Sequence, residues 1–307
     1  MANPLLQYFF PTFTSSNVVT AFDTHKGQRL ENQDNYLLLT PNGTAEYLED
    51  ESPQSRQQSD WSRRYYRLAI ADGMGGHKGG RAISEALIQK LLNLKPQKTP
   101  EQLRQSLDDI HSQLWRTFFS HEEKSSGTTL IMADIYEGGD AVIANIGDSR
   151  ALLWRQEIKQ WQQLTYDQNL DEYDWRDGEL EDEDYHPDSK THRLAQAVGY
   201  GSFGLLKDKQ GFKPNQLSKQ LRLDLADDLP TDKRDHSDVF KIHLNKGDAI
   251  LLASDGLWNV ATDVLPLAIP SPSELAQENL LAQFFEEVIQ NGGMDNLSAV
   301  MLWSNSQ

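Results

Sequence analysis

Short apolar stretches bounded by Gly, Asp or Asn recur along the chain: Val18–Phe22, Tyr36–Leu39, Arg67–Ala71, Thr128–Ile135, Ala141–Ile146, Ala151–Trp154, Ala249–Ala253 and Ser298–Trp303. Their lengths and their branched and aromatic content predict β-strands. The turn Glu137-Gly138-Gly139-Asp140 predicts a hairpin. Three other segments repeat at helical spacing. From about Gly80 to Leu92, the residues Ile83, Leu87 and Leu91 share one face. Thr99-Pro100-Glu101-Gln102 opens a second helix: Thr99 caps it, Pro100 suits its first position and Gln102 can reciprocate. Leu103, Leu107, Ile110, Leu114 and Phe118 form its apolar stripe. Ser271-Pro272-Ser273-Glu274 opens a third helix by the same device. Leu280, Phe284 and Val288 lie on its apolar face, and Asn291-Gly292-Gly293 ends it.

The helices fall in two consecutive blocks and one late block between clusters of strands, with no regular βαβα alternation. This order predicts an α+β fold, a sandwich of antiparallel sheets with helices outside. Three polar stretches read as surface insertions: Gly43–Arg64, Tyr166–Lys190 with its run DEYDWRDGELEDED, and Lys207–Asp238.

Composition narrows the function. The 307 residues carry a formal net charge of -17, which argues against nucleic acid or an anionic membrane as a partner. The chain has no cysteine, so disulfides, zinc-thiolate sites and cysteine nucleophiles are excluded. The opening MANPLLQYFFPTF lacks the marks of a secretory signal, and no apolar run reaches the roughly 20 residues that span a bilayer. The expected location is the cytoplasm.

Aspartates recur where strand-like segments begin or end: Asp34, Asp72, Asp148, Asp255 and Asp295. Each alone is an ordinary turn residue. Several gathered together would be costly without cations, and an oxygen-rich, imidazole-poor set suits magnesium or manganese. Two such ions can activate a water held between them and clamp phosphoryl oxygens.

The order of these blocks resembles that of the metal-dependent protein phosphatases of type 2C, especially bacterial members. The resemblance is carried by Arg29-Leu30-Glu31-Asn32-Gln33-Asp34-Asn35, Ala71-Asp72-Gly73-Met74-Gly75-Gly76, Ser126-Gly127-Thr128-Thr129, Ala144-Asn145-Ile146-Gly147-Asp148-Ser149-Arg150, Leu164-Thr165-Tyr166-Asp167, Ser254-Asp255-Gly256-Leu257 and Asp295-Asn296. It spans roughly residues 18–303. It implies a single catalytic domain over residues 1–307, a four-layer α/β/β/α sandwich, with a polar insertion at 43–64 and a variable acidic flap at 166–246.

The resemblance also implies the site. Asp34, Asp72, Asp255 and Asp295, with the backbone carbonyl of Gly73, would hold two Mg2+ or Mn2+ ions, and Asp148 would serve a third position. Arg29 would bind substrate phosphate. The implied reaction is hydrolysis of phosphoserine or phosphothreonine in phosphoproteins by metal-activated water, without a phosphoenzyme. The implied partners are phosphoproteins of a serine/threonine kinase pathway, met by a monomer. Two other readings are a phosphatase of small metabolites and a non-catalytic signalling module. The module would be expected to have lost metal carboxylates, and all four central ones are present.

Several positions depart from the family pattern. Met74 stands where some members have a histidine proposed as general acid, so the leaving group must take its proton from water or another group. His77 nearby reads as a surface loop residue. Asn259 replaces an acidic ligand of some members, for which Asp188 or Asp235 of the flap could substitute. Gln168 replaces the histidine of LTxDH, and Gln196 replaces a common arginine. The acidic flap reads as a solvated insertion, with a charge filter against acidic phosphopeptides as the alternative.

Overall fold

The computed structural model describes residues 18–74, 79–118, 126–185, 194–200, 221–223, 236–259 and 268–305. The chain first forms β1 (Val18–His25), β2 (Asp34–Leu39), β3 (Thr44–Glu49), β4 (Ser52–Gln57), β5 (Tyr65–Met74), α1 (Gly79–Asn93) and α2 (Pro100–Phe118). It continues through β6 (Gly127–Thr128), β7 (Leu130–Tyr136), β8 (Asp140–Ile146), β9 (Arg150–Arg155), β10 (Gln160–Gln163) and α3 (Leu170–Asp177). The last elements are β11 (Val239–His243), β12 (Ala249–Ala253), α4 (Pro272–Leu275), α5 (Leu280–Gln290) and β13 (Leu297–Ser304).

Successive strand residues point to opposite faces, and here both faces are covered. In β2, Tyr36 and Leu38 enter one hydrophobic core while Leu37 and Leu39 enter another. β5 divides Leu68 and Ile70 from Ala69 and Ala71 in the same way. In β13, Val300 and Leu302 face the first of these cores while Ala299 and Met301 face a third. Burial on both sides explains why these strands read as continuous apolar runs rather than alternating ones.

Two antiparallel sheets result. One runs β1-β13-β12-β9-β10 and the other β11-β8-β7-β5-β2-β3-β4, with β6 paired to β5. The core shared by Tyr36, Ile70, Ile131, Ile250 and Val300 lies between the sheets. Leu87, Leu91, Leu103 and Leu107 of α1 and α2 pack on the outer face of the larger sheet. Leu281, Phe284, Phe285 and Val288 of α5 cover the smaller one. Three cores between four layers make the expected sandwich. Among the described residues, no helix is long and apolar enough to cross a membrane.

The structure differs from the sequence reading at four places. The polar stretch 43–64 is largely a β-hairpin, β3 and β4, at the sheet edge. Its Ala45, Tyr47 and Leu48 are buried, but β4 is an exposed edge strand holding Pro53, so polar residues there conceal a strand. The run Thr128–Ile135 is broken at Thr129, whose N–H donates to Asp72 O at 2.8 Å. The third helix is two: Asn279, at φ 62°, separates α4 from α5, and Leu281 rather than Leu280 is buried. Part of the flap is regular structure, α3 and β11. His77, Gly75, Gly76, Asp188 and Asp235 lie outside the described residues.

One buried ion pair ties the larger sheet to its helices. Arg67 on β5 donates from Nε and Nη2 to both carboxylate oxygens of Asp134 on β7, each at 2.6 Å. Its Nη1 donates to Leu91 O and Leu94 O, each at 2.6 Å, and so satisfies carbonyls at the end of α1.

Candidate metal and phosphate site

Asp34 opens β2 and pairs in register with Asp72 near the end of β5. Asp34 lies two residues before Tyr36, and Asp72 two residues after Ile70. Both carboxylates therefore extend the face that lies between the two sheets. The apolar core ends there, and a carboxylate pair takes its place.

The smaller sheet supplies the opposing groups. Ser254 follows β12, and its Oγ donates to Asp34 Oδ2 at 2.6 Å. Ser254 Oγ accepts in turn from Ser298 N at 2.9 Å. Ser298 Oγ meets Thr24 Oγ1 at 2.6 Å, and Asn32 Nδ2 donates to Thr24 Oγ1 at 2.7 Å. This chain of bonds holds Asp34 between the sheets. Asp255 comes next, at the start of a single 3-10 turn, and Asn259 Nδ2 donates to its Oδ2 at 3.3 Å. Asn259 thus orients a carboxylate instead of adding one.

Asn296 joins the two remaining loops. Its Nδ2 donates to Lys26 O at 2.8 Å and Glu31 O at 3.1 Å, while its Oδ1 accepts from Gln33 N at 2.9 Å. Arg29 and Asp295 sit on these loops, and Arg29 Nη2 donates to Asp295 Oδ2 at 2.7 Å. The loops are so close that a Cβ on Gly27 would stand 2.0 Å from Asp295 O. A Cβ on Gly73 would stand 2.2 Å from Gly80 O, so this backbone crossing requires glycine.

Asp148 is held through a different partner. Thr129 Oγ1 accepts from Asp72 N at 3.0 Å and meets Ser149 Oγ at 2.8 Å, which links the two aspartate turns. Gln168 brackets the neighbouring glycine: Gly147 N donates to Gln168 Oε1, and Gln168 N donates to Gly147 O, both at 2.9 Å. The buried glutamine does here, with a neutral amide, the work of fixing a turn. Sequence comparison flags Gln168 only as a departure, because its partners lie some 20 residues upstream.

Electrostatics bind these groups together. Burial, opposed by hydrogen bonds from Ser254 and Ser298 and reinforced by Asp255 and Asp295, pushes the Asp34 carboxyl up to about 7. Burial and the neighbouring Asp34, Asp255, Asp148 and Asp295 push Asp72 well above the usual carboxylate range. Burial and then Asp295 raise Asp255, and burial, Asp255 and Asp167 raise Asp148. Asp34 Oδ1 and Asp255 Oδ1 are buried without a hydrogen-bond partner. Buried acceptor oxygens among mutually repelling carboxylates require a cation or protons. Among the described residues no group of three or more His, Asp or Glu already stands at ligand spacing, so the carboxylates converge without forming a closed cage. The all-oxygen donor set fits hard divalent ions.

Part of the acidity beyond the site is internally compensated. Arg150 makes a two-pronged ion pair with Asp167, at 2.7 and 2.8 Å. Arg176 on α3 bridges Glu172 and Asp238, at 2.7 and 2.8 Å. These acids of the flap region are structural rather than freely solvated.

The protein phosphatase 2C family model matches residues 43–302. The serine/threonine phosphatase stp of Listeria innocua is 24% identical over 249 residues, which cover 78% of this chain and 84% of that protein. The fold is shared with the S. agalactiae serine/threonine phosphatase, at TM-score 0.60 and 21% identity, covering 93% of this chain and 99% of the other. It is shared also with the catalytic domain of the phosphatase PstP in complex with 2 manganese ions, at TM-score 0.55 and 20% identity, covering 93% and 97%. Arg29 and Asp34 precede the matched residues, yet the structure seats Asp34 opposite Asp72 within them. The chain therefore belongs to the protein phosphatase 2C family and is an enzyme of the phosphatase class.

Proposed function

We propose that the chain hydrolyses phosphoserine and phosphothreonine in phosphoproteins, by direct attack of water on phosphorus. The observation that carries this reading is the convergence of Asp34 and Asp72 from one sheet with Asp255 from the other, with buried carboxylate oxygens lacking a donor. Asp34, Asp72, Asp255 and Asp295, with the Gly73 carbonyl, would hold two Mg2+ or Mn2+ ions, and Asp148 a third. Bound there, the ions would supply Lewis-acid activation of water and offset the charge of the phosphoryl oxygens.

The chain's own residues do the rest. Arg29 is largely exposed and uses Nη2 on Asp295, and its planar fork suits the oxygens of a phosphate. The Asn296 and Ser254 networks hold the carboxylates, so little reorganisation is needed at the reaction. Water oxygen bonds to phosphorus and releases a proton to solvent as the bond to the serine or threonine oxygen breaks, and that oxygen takes a proton from solvent. Met74 has no proton to give, and the chain has no cysteine to form a phosphothiol intermediate. The natural partners are phosphoproteins made by serine/threonine kinases, and the expected setting is the cytoplasm.

Hydrolysis of a phosphothreonine peptide with added manganese, by the wild type and Asp255→Asn, tests the reading. Loss of a ligand should reduce kcat/KM by on the order of a hundredfold or more, beyond the usual effect of an outer partner. Full activity in Asp255→Asn would remove the proposed centre.

A further inference from the structure

The two most exposed large hydrophobic side chains among the described residues adjoin the two members of one ion pair. Leu30 is 90% exposed and follows Arg29; Met294 is 61% exposed and precedes Asp295. Single exposed apolar residues are normal on protein surfaces. Their placement here is informative because the loops that carry them are stitched together. Asn296 donates to Lys26 O and Glu31 O, Gln28 Nε2 donates to Gly293 O at 3.5 Å, and Arg29 is bonded to Asp295.

The polar neighbours are already engaged. Gln33 Nε2 donates to Glu31 Oε1 at 2.7 Å, and Asn32 Nδ2 donates to Thr24 Oγ1. Phe22, also exposed, has an internal partner in the ring of Tyr36 at 4.9 Å. Leu30 and Met294 are left facing solvent from a braced platform beside the arginine assigned to phosphate. An extended peptide advances about 3.3–3.6 Å per residue, so a side chain one or two positions from a phosphoresidue on Arg29 would cross this platform. An apolar flank there would remove apolar surface from water on both sides, which a polar or charged flank would not.

We propose that Leu30 and Met294 form an apolar lip that receives a hydrophobic side chain next to the phosphorylated residue, so that the enzyme selects phosphopeptides with apolar flanks. This rests on the phosphatase reading above and adds a substrate class to it.

The test compares two phosphothreonine peptides that differ only in having leucine or serine on either side of the phosphoresidue, with p-nitrophenyl phosphate as a third substrate for the wild type. The wild type should favour the leucine peptide by about tenfold or more in kcat/KM, the usual scale for an apolar pocket contact. In Leu30→Ser/Met294→Ser that ratio should fall toward one, with the loss in KM for the leucine peptide. Leu30→Met/Met294→Leu should restore it. Equal kcat/KM of the wild type on both peptides would overturn the lip alone. A variant that loses both peptides in parallel would also overturn it, because the residues would then brace the loops rather than meet substrate. No hydrolysis of any of the three substrates would remove the phosphatase reading and the lip with it.

Discussion

Asp34 and Asp72 stand directly opposite each other as register partners of β2 and β5, on the face where the inter-sheet core ends. Like charges so placed destabilise the fold unless cations or protons compensate them. Added manganese should therefore raise the melting temperature. At a hundred times the dissociation constant the gain is about 2.7 kcal/mol, which corresponds to a shift of about 4 °C for a chain of this size. Asp72→Asn should lose most of that shift, yet without metal it should be at least as stable as the wild type at neutral pH. Thermal unfolding with and without manganese measures both effects. A full shift retained by Asp72→Asn would place the ions elsewhere.

Arg29 should matter to phosphate rather than to folding. Arg29→Ala should reduce kcat/KM on a phosphothreonine peptide by about 10- to 100-fold, the scale of a lost charge-assisted pair. Arg29→Lys should recover only part of the loss, because a point charge cannot reproduce the planar fork. Steady-state kinetics with unchanged urea midpoints would support this role; equal rates for the alanine variant and the wild type would end it.

The Arg67–Asp134 pair sets a different expectation, on stability. Both side chains are fully buried, and Arg67 also serves the end of α1. Asp134→Ala leaves that guanidinium without its counter-ion and should cost about 3–5 kcal/mol. Replacing both partners by apolar residues of similar volume, Arg67→Met with Asp134→Leu, should cost less than Asp134→Ala alone. Urea unfolding of the three variants decides; additive losses would show that the charges act independently.

Glu172 couples α3 to pH. Burial alone would raise its carboxyl, but His236, Arg176 and Tyr185 outweigh burial and hold it below the ordinary 4.5. A folded value below the unfolded one means that the group stabilises the fold above about pH 4.5, and that this is lost as pH falls through the depressed value. Trp175 is stacked on Tyr185 with ring centroids 4.4 Å apart, and the part of the emission that Trp175→Phe removes from this chain of seven tryptophans reports on the region. Acidification should release the stack in the wild type, and Glu172→Gln should flatten that part of the transition. An identical acid profile in both proteins would rule out the coupling.

Most strands were legible because their apolar runs are dense and short; a strand buried on both faces shows no period, and its length and the turn residues around it identify it, as in Ala249–Ala253. β4 was hidden because an edge strand needs no apolar residues of its own. The split between α4 and α5 was hidden because the apolar pattern continues across Asn279, whose positive φ ends one helix and starts another.

The site divides along the same line. The aspartates, the glycines at tight turns and the arginine are chemical types that the chain displays in order, and a phosphatase of this family could be inferred from them. Which oxygens lack donors depends on contacts between distant segments. Ser254 reaches Asp34 across 220 positions of sequence, and Arg29 reaches Asp295 across 266. Gln168 acquires its role only by standing against Gly147, and Leu30 and Met294 become neighbours of one ion pair only when Asn296 joins their loops. Residue chemistry is local and can be read from order and spacing; burial, mutual repulsion and hydrogen-bond partnership are properties of packing and arise only when the two sheets close on each other.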